Sequence, residues 1–240
     1  MNAIQEAIFN VDRLLGAESP DARDEAVRLL EQTLAEQVTD DTHISYGQFP
    51  KEFGGPTGDI NMALFLLPPL FALRENHAAT LPSHAAEALE QGLQRAIEAA
   101  QRRWDEELFD LKRDHKAYSN IFLLYIQAFI LAGHHLKDER LARVGTAQWK
   151  RWFSHVAYFG IDEFVSDYYK VDFEALTRIR ALTPDANVRE QATRVLDYLS
   201  AVAHGVTHPV LELPVCGSAR SYRRFLAPSG EQPLSLASLI

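Results

Sequence analysis

The chain has 240 residues, 47% of them hydrophobic and 24% charged, which excludes a disordered tail and supplies enough apolar material for a sizeable core. Its 24 Lys and Arg stand against 33 Asp and Glu, a formal charge of -9, so a nonspecific electrostatic grip on nucleic acid or on an anionic membrane is disfavoured. The apolar runs Met62 to Leu73 and Ile121 to Gly133 fall short of the ~20 residues that cross a hydrocarbon core. The opening Met1-Asn2-Ala3-Ile4-Gln5-Glu6 has neither the cationic nor the apolar region of a secretory leader. The lone Cys216 cannot form an intrachain disulfide. One domain over residues 1–240 in the cytoplasm is the expectation, with no membrane and no nucleic acid as partner.

Taken in order, Ser19-Pro20-Asp21 offers a capping hydroxyl, a proline at the first helical position and an acid in the first turn, and opens an amphipathic helix over 20–37. After a glycine-rich stretch comes a segment near 61–75 that is apolar nearly all round, the mark of a helix buried on every side. Pro68-Pro69 within it predicts a kink or a split, because proline lacks the amide donor and clashes with the preceding turn. Leu81-Pro82-Ser83 opens a second amphipathic helix over 83–105, followed by the charged run Asp105 to His115, which a solvated helix extension explains. Residues 118–133 form a second apolar helix, too long for a strand and closed by Gly133. Amphipathic helices over 138–157 and 184–203 follow, the latter opened by Thr183-Pro184-Asp185, with a third inner helix near 171–182 between them. A short hairpin is conceivable only around Val206 to Val215, where Pro209 and Pro214 limit strand length.

The class is therefore all-α, with helix starts at 20, 83, 138 and 184 defining helical hairpins. Connections leaving the inner helices are short, whereas those entering them (39–60, 105–117, 158–170, with 205–225 after the last helix) are long. If the inner helices run parallel, these long loops emerge at one end, where binding groups usually sit.

Three strings carry a resemblance: Tyr118-Ser119-Asn120-Ile121, then Glu163-Phe164-Val165-Ser166-Asp167-Tyr168-Tyr169-Lys170-Val171-Asp172, then Arg220-Ser221-Tyr222. They resemble segments of α/α-toroid proteins, the broad group that contains six-hairpin glycosidases and the alginate- and heparin-type polysaccharide lyases. The likeness is one of architecture and extends over most of the chain from about Gly47 onward. It implies a reduced or incomplete α/α toroid of about four hairpins, with a cleft at the long-loop end that handles sugars, often uronic acids. A complete ring takes about six hairpins, so an open ring, or a homodimer that completes the cleft, is what the shortfall implies.

A lyase must neutralise a carboxylate and remove the proton beside it, which calls for Asn, Arg or His and for Tyr or His. Asn120 and Arg220 are candidates to hold the acidic group. Tyr168 or Tyr169 would move the proton with help from His115, and Tyr222 would line the site. Each has a plainer explanation: Ser119-Asn120 as a helix cap, the tyrosines as rim aromatics, Arg220 as half of an ion pair. A hydrolase would use carboxylates instead, from Asp59, Glu163, Asp167 and Asp172, although acids at a helix start also answer the helix dipole. The loop from Tyr46 to Asp59, with four glycines, suits a lid or wall whose Tyr46, Phe49 and Phe53 either stack on a sugar or plug the ring end. No metal or other cofactor is expected, since neither His134-His135 nor His204 with His208 has zinc-motif spacing and no phosphate-cradling glycine motif occurs. A non-catalytic helical-repeat protein that binds a partner on its concave face is the third reading.

Overall fold

The computed structural model describes residues 2–17, 19–105, 119–159 and 169–206. Among the described residues there are eight helices and no strand, as the sequence predicts for an all-α chain. No helix among them is long and apolar enough to cross a membrane. Tertiary contacts cluster into two compact units, Met1–Leu108 and Phe109–Ile240.

The first unit holds α1 (Ala3–Leu15), α2 (Pro20–Ala35), α3 (Met62–His77) and α4 (Ser83–Asp105). Helix α1 was not anticipated, yet its signals are local. Asn2 Oδ1 accepts from the Gln5 amide while Gln5 Oε1 accepts from the Asn2 amide, and Ile4, Ala7, Ile8, Val11 and Leu15 form the buried stripe. Ser19 occupies the N-cap of α2, but its hydroxyl makes no capping bond, so the proline at N1 and Asp21 in the first turn carry that start. Helix α3 runs unsplit through Pro68 and Pro69. Those prolines cannot donate to the carbonyls of Leu64 and Phe65, and burial of Met62, Leu66, Leu67, Leu70, Phe71 and Leu73 offsets the loss.

Two hairpins, α1–α2 and α3–α4, stand side by side in this unit, first helix against first and second against second. Their direction follows from paired residues. Asn2 meets Met62 at the start of α1 and α3, and Asp12 meets His77 near their ends, so these helices are parallel. Likewise Glu31 reaches His84 and Gln37 reaches Gly92, so α2 and α4 are parallel too.

The second unit contains α5 (Ser119–His135), α6 (Glu139–Phe159), α7 (Tyr169–Leu182) and α8 (Ala186–Val206). Again each hairpin is closed by a short turn, and α7 packs on both α5 and α8. Helix α5 is buried almost throughout, from Phe122 to Ala132. It lies against α6 in antiparallel fashion at glycine contacts: a Cβ on Gly133 would stand 2.6 Å from the Ala142 amide nitrogen, and one on Gly145 would stand 2.7 Å from Ile130 Cγ1. Asp138 starts α6 by accepting from the Arg140 and Leu141 amides at 2.8 and 3.2 Å. Asp185 does the same for α8 with Asn187 and Val188 at 2.9 and 3.3 Å. The start of α8 thus falls at Ala186, with Asp185 rather than Thr183 as its capping side chain.

Candidate functional site

The loop 39–60 is the long connector that the structure describes in full, and it is pinned rather than lid-like. Gly47 sits at φ 73°, with its amide donating to Val38 O at 2.8 Å. A Cβ there would come 2.3 Å from Arg95 O, so glycine is required by both conformation and space. Gln37, itself buried, donates through Nε2 to the carbonyls of Gly47 and Gly92, both at 3.0 Å, and accepts from Arg95 Nε at 2.8 Å. Gln48 is buried as well, and its Oε1 accepts from the Ala63 amide at 2.9 Å, capping α3 from a distance in sequence.

Tyr46 turns toward α4. Its hydroxyl donates to Glu98 Oε2 at 2.8 Å, and the Arg102 guanidinium lies 4.2 Å from its ring centroid. Burial, then the bond to Glu98, pushes the Tyr46 phenol above its ordinary value. Hydrogen bonds from Gln94 and Tyr46 hold the Glu98 carboxyl below its own. Phe49 is fully buried and Phe53 half-buried, so of the two uses expected for these aromatics Phe49 serves as a plug.

Asp59 stands at the other side of the loop. Its Oδ1 accepts from the Asn61 amide at 3.0 Å and its Oδ2 pairs with Lys51 Nζ at 3.1 Å. Lys51, Glu52, Gly55, Pro56, Gly58, Asp59, Ile60 and Asn61 surround a depression of about 590 Å³. Asn61 Oδ1 is buried there and has no hydrogen-bond partner among the described residues.

In the second unit, Tyr169 and Asp172 open α7 one turn apart, so helical spacing puts them on one face. Asp172 is 3% exposed. Burial pushes the Tyr169 phenol up to about 12. The Ala203 backbone amide pulls the other way, and the charges of Asp172 and Tyr198 add to the rise. Its ring lies 5.6 Å from that of Phe173. Asn120 is the second residue of α5 and is 1% exposed, inside the helix rather than at its cap. Seven residues on, along the same face, Gln127 is also buried, and neither of its amide atoms has a partner among the described residues.

Of the residues singled out from the sequence, Tyr169 and Asp172 are brought together, whereas Tyr46 and Asp59 share a loop but serve different neighbours. Tyr168, His115, Glu163, Arg220 and Tyr222 lie outside the described residues, as do Asp167 and the segment 207–215. Sequence reasoning passed over Gln37, Gln48, Asn61 and Gln127. For Gln127 a signal existed, a lone amide in an apolar run; for the others the partners are remote along the chain. No family model and no curated protein matches this chain.

Proposed function

We propose that the chain is a carbohydrate-active lyase that acts on a uronic-acid-containing sugar by proton abstraction, in a reduced α/α toroid of helical hairpins. The observation that carries this reading is Tyr169, a phenol at the first turn of an inner helix, beside a buried carboxylate and protonated up to about pH 12. Such a group holds its proton at neutral pH, so in this scheme it gives a proton rather than takes one. In this scheme the base, Tyr168 or His115, takes the proton beside the substrate carboxylate. The electron pair forms a carbon–carbon double bond, the glycosidic C–O bond breaks, and the Tyr169 hydroxyl protonates the departing oxygen. Asn120 and Arg220 hold the substrate carboxylate, with Tyr222 beside it, and Asp172 positions Tyr169. A second copy of the chain would complete the ring.

The test is incubation of the full chain with a panel of uronate oligosaccharides. New ultraviolet absorbance from unsaturated product, lost in Tyr169→Phe, supports the lyase. New reducing ends without absorbance select instead a hydrolase working through a carboxylate pair. Neither signal leaves the helical-repeat binding protein as the surviving reading.

A further inference from the structure

We infer that the outer face of α1 is the contact through which a second copy of this chain docks, antiparallel and about a two-fold axis beside Phe9. Helix α1 buries Ile4, Ala7, Ile8, Val11 and Leu15 against α2 and α3, and its opposite face is open to solvent. Steps of three and four place Glu6, Phe9 and Arg13 in one row on that open face, the spacing of a two-helix seam. Phe9 is 53% exposed in the middle of the row. A single exposed aromatic is ordinary. What sets this one apart is the pair of charges around it.

Several exposed charges elsewhere pair within a helical turn, as Arg28 does with Glu25, Arg143 with Glu139 and Arg194 with Glu190. Glu6 and Arg13 instead make no ion pair among the described residues. They stand seven positions apart, about 10 Å along the axis, too far to reach each other. A second α1 laid antiparallel, centred at Phe9 and Asn10, brings Glu6 of each copy opposite Arg13 of the other and sets the two Phe9 rings side by side between these pairs. The pattern is thus self-complementary, as a two-fold contact requires, whereas a parallel copy would set Glu6 on Glu6 and Arg13 on Arg13. A different protein would need an apolar residue between charges in this reversed order; the chain itself already carries it. Glu6 and Arg13 also answer the dipole of α1 from its first and last turns, but that role acts within one copy. With 13 residues α1 is about 20 Å long, so the interface is small, and reversible association at micromolar concentrations follows rather than a permanent dimer. Because α1 and α3 are parallel, a ring continued in the same sense would offer α1 a parallel neighbour. The antiparallel contact is therefore a different one and does not depend on the lyase reading.

Sedimentation equilibrium of the full chain, from about 1 μM to about 1 mM, tests the proposal. A monomer–dimer equilibrium is expected, weakened at least about tenfold in Phe9→Ser. Phe9→Gln, which keeps a good helix former, serves should Phe9→Ser fail to fold. Glu6→Arg and Arg13→Glu should each weaken association at least about threefold by setting like charges face to face, and the two together should restore it to within about twofold of the wild-type chain. A chain that is monomeric throughout, a dimer indifferent to Phe9, or charge exchanges that fail to rescue each other would overturn the proposal. Charges that serve only the helix dipole would leave association unmoved by every exchange, which overturns it as well. Lyase turnover by a chain that stays monomeric would leave that reading intact and defeat this one. A dimer with the expected pattern of variants stands even if no uronate is cleaved.

Discussion

Tyr169 shows how a single side chain acquires a chemical character from its setting. Half-burial between α7 and α8 removes water from the phenolate that ionisation would create, and the Asp172 charge opposes that ionisation further. The phenol is raised to about 12 in the folded chain, against about 10 when unfolded. The stability this contributes is therefore fully present below about pH 10 and is lost as pH rises through about 12, where the native state must surrender its proton. Alkaline spectrophotometric titration should reveal tyrosines that ionise late, Tyr46 and Tyr169 among them, and the difference between wild type and Tyr169→Phe should isolate the Tyr169 component. A difference curve centred near 10 would remove the basis for Tyr169 as a retained proton donor. Gln48 makes the complementary point about amides. It serves the fully buried Ala63 amide, so Gln48→Ala leaves that donor unmet and should cost about 1–3 kcal/mol in chemical denaturation, more than its loop position suggests. Asn120 now belongs with these buried groups, and its replacement by alanine should lower stability as well as any turnover, so Tyr169→Phe is the cleaner functional probe.

At the scale of elements, the glycines of the second unit set how closely helices approach. Gly133 presses on the Ala142 backbone, which cannot rotate aside as a side chain can. Gly133→Ala improves helix propensity by about 1 kcal/mol, yet the forced separation of α5 and α6 outweighs it, and a net loss of about 1–3 kcal/mol is expected by thermal unfolding. An unchanged or raised Tm would show that α6 can slide without penalty. These contacts also mark what was legible in the sequence. Helix positions followed from spacing of apolar residues, and even the overlooked α1 obeyed that rule, with a capping box in its first turn. The capping residues were read less well: the Ser19 hydroxyl makes no capping bond, and Asp185 rather than Thr183 caps α8. Proline at the first helical position needs no partner, whereas an aspartate carboxylate reaches two amides at once. The pairing of Tyr169 with Asp172 escaped the sequence reading, which leaves Tyr169 in the connector 158–170; α7 starts at Tyr169, two residues earlier than expected, and a helix brings positions three apart to one face. The turning of Tyr46 toward Glu98 was not readable either, since that bond joins residues 52 apart and no local pattern encodes it.

At the scale of the whole chain, what repeats is the hairpin, and what divides it is the clustering of contacts into two units. Within the first unit, cooperativity has a visible origin: Gln37 on α2, Gly47 in the loop, and Gly92 and Arg95 on α4 are joined by hydrogen bonds, while Gln48 ties the same loop to α3. Damage to this junction should therefore spread through all four helices. Gly47→Ala places a Cβ against the Arg95 carbonyl at a positive φ, and a loss of about 2–4 kcal/mol follows from clash and strain together. If each unit unfolds as its own cooperative body, hydrogen exchange in this variant should accelerate across α1 to α4 while α5 to α8 keep their protection. Equal acceleration in all eight helices would mean that the whole chain unfolds as one body. Acceleration confined to the loop would mean that Gly47 secures only its own turn, and that α2 and α4 are held by their apolar faces alone.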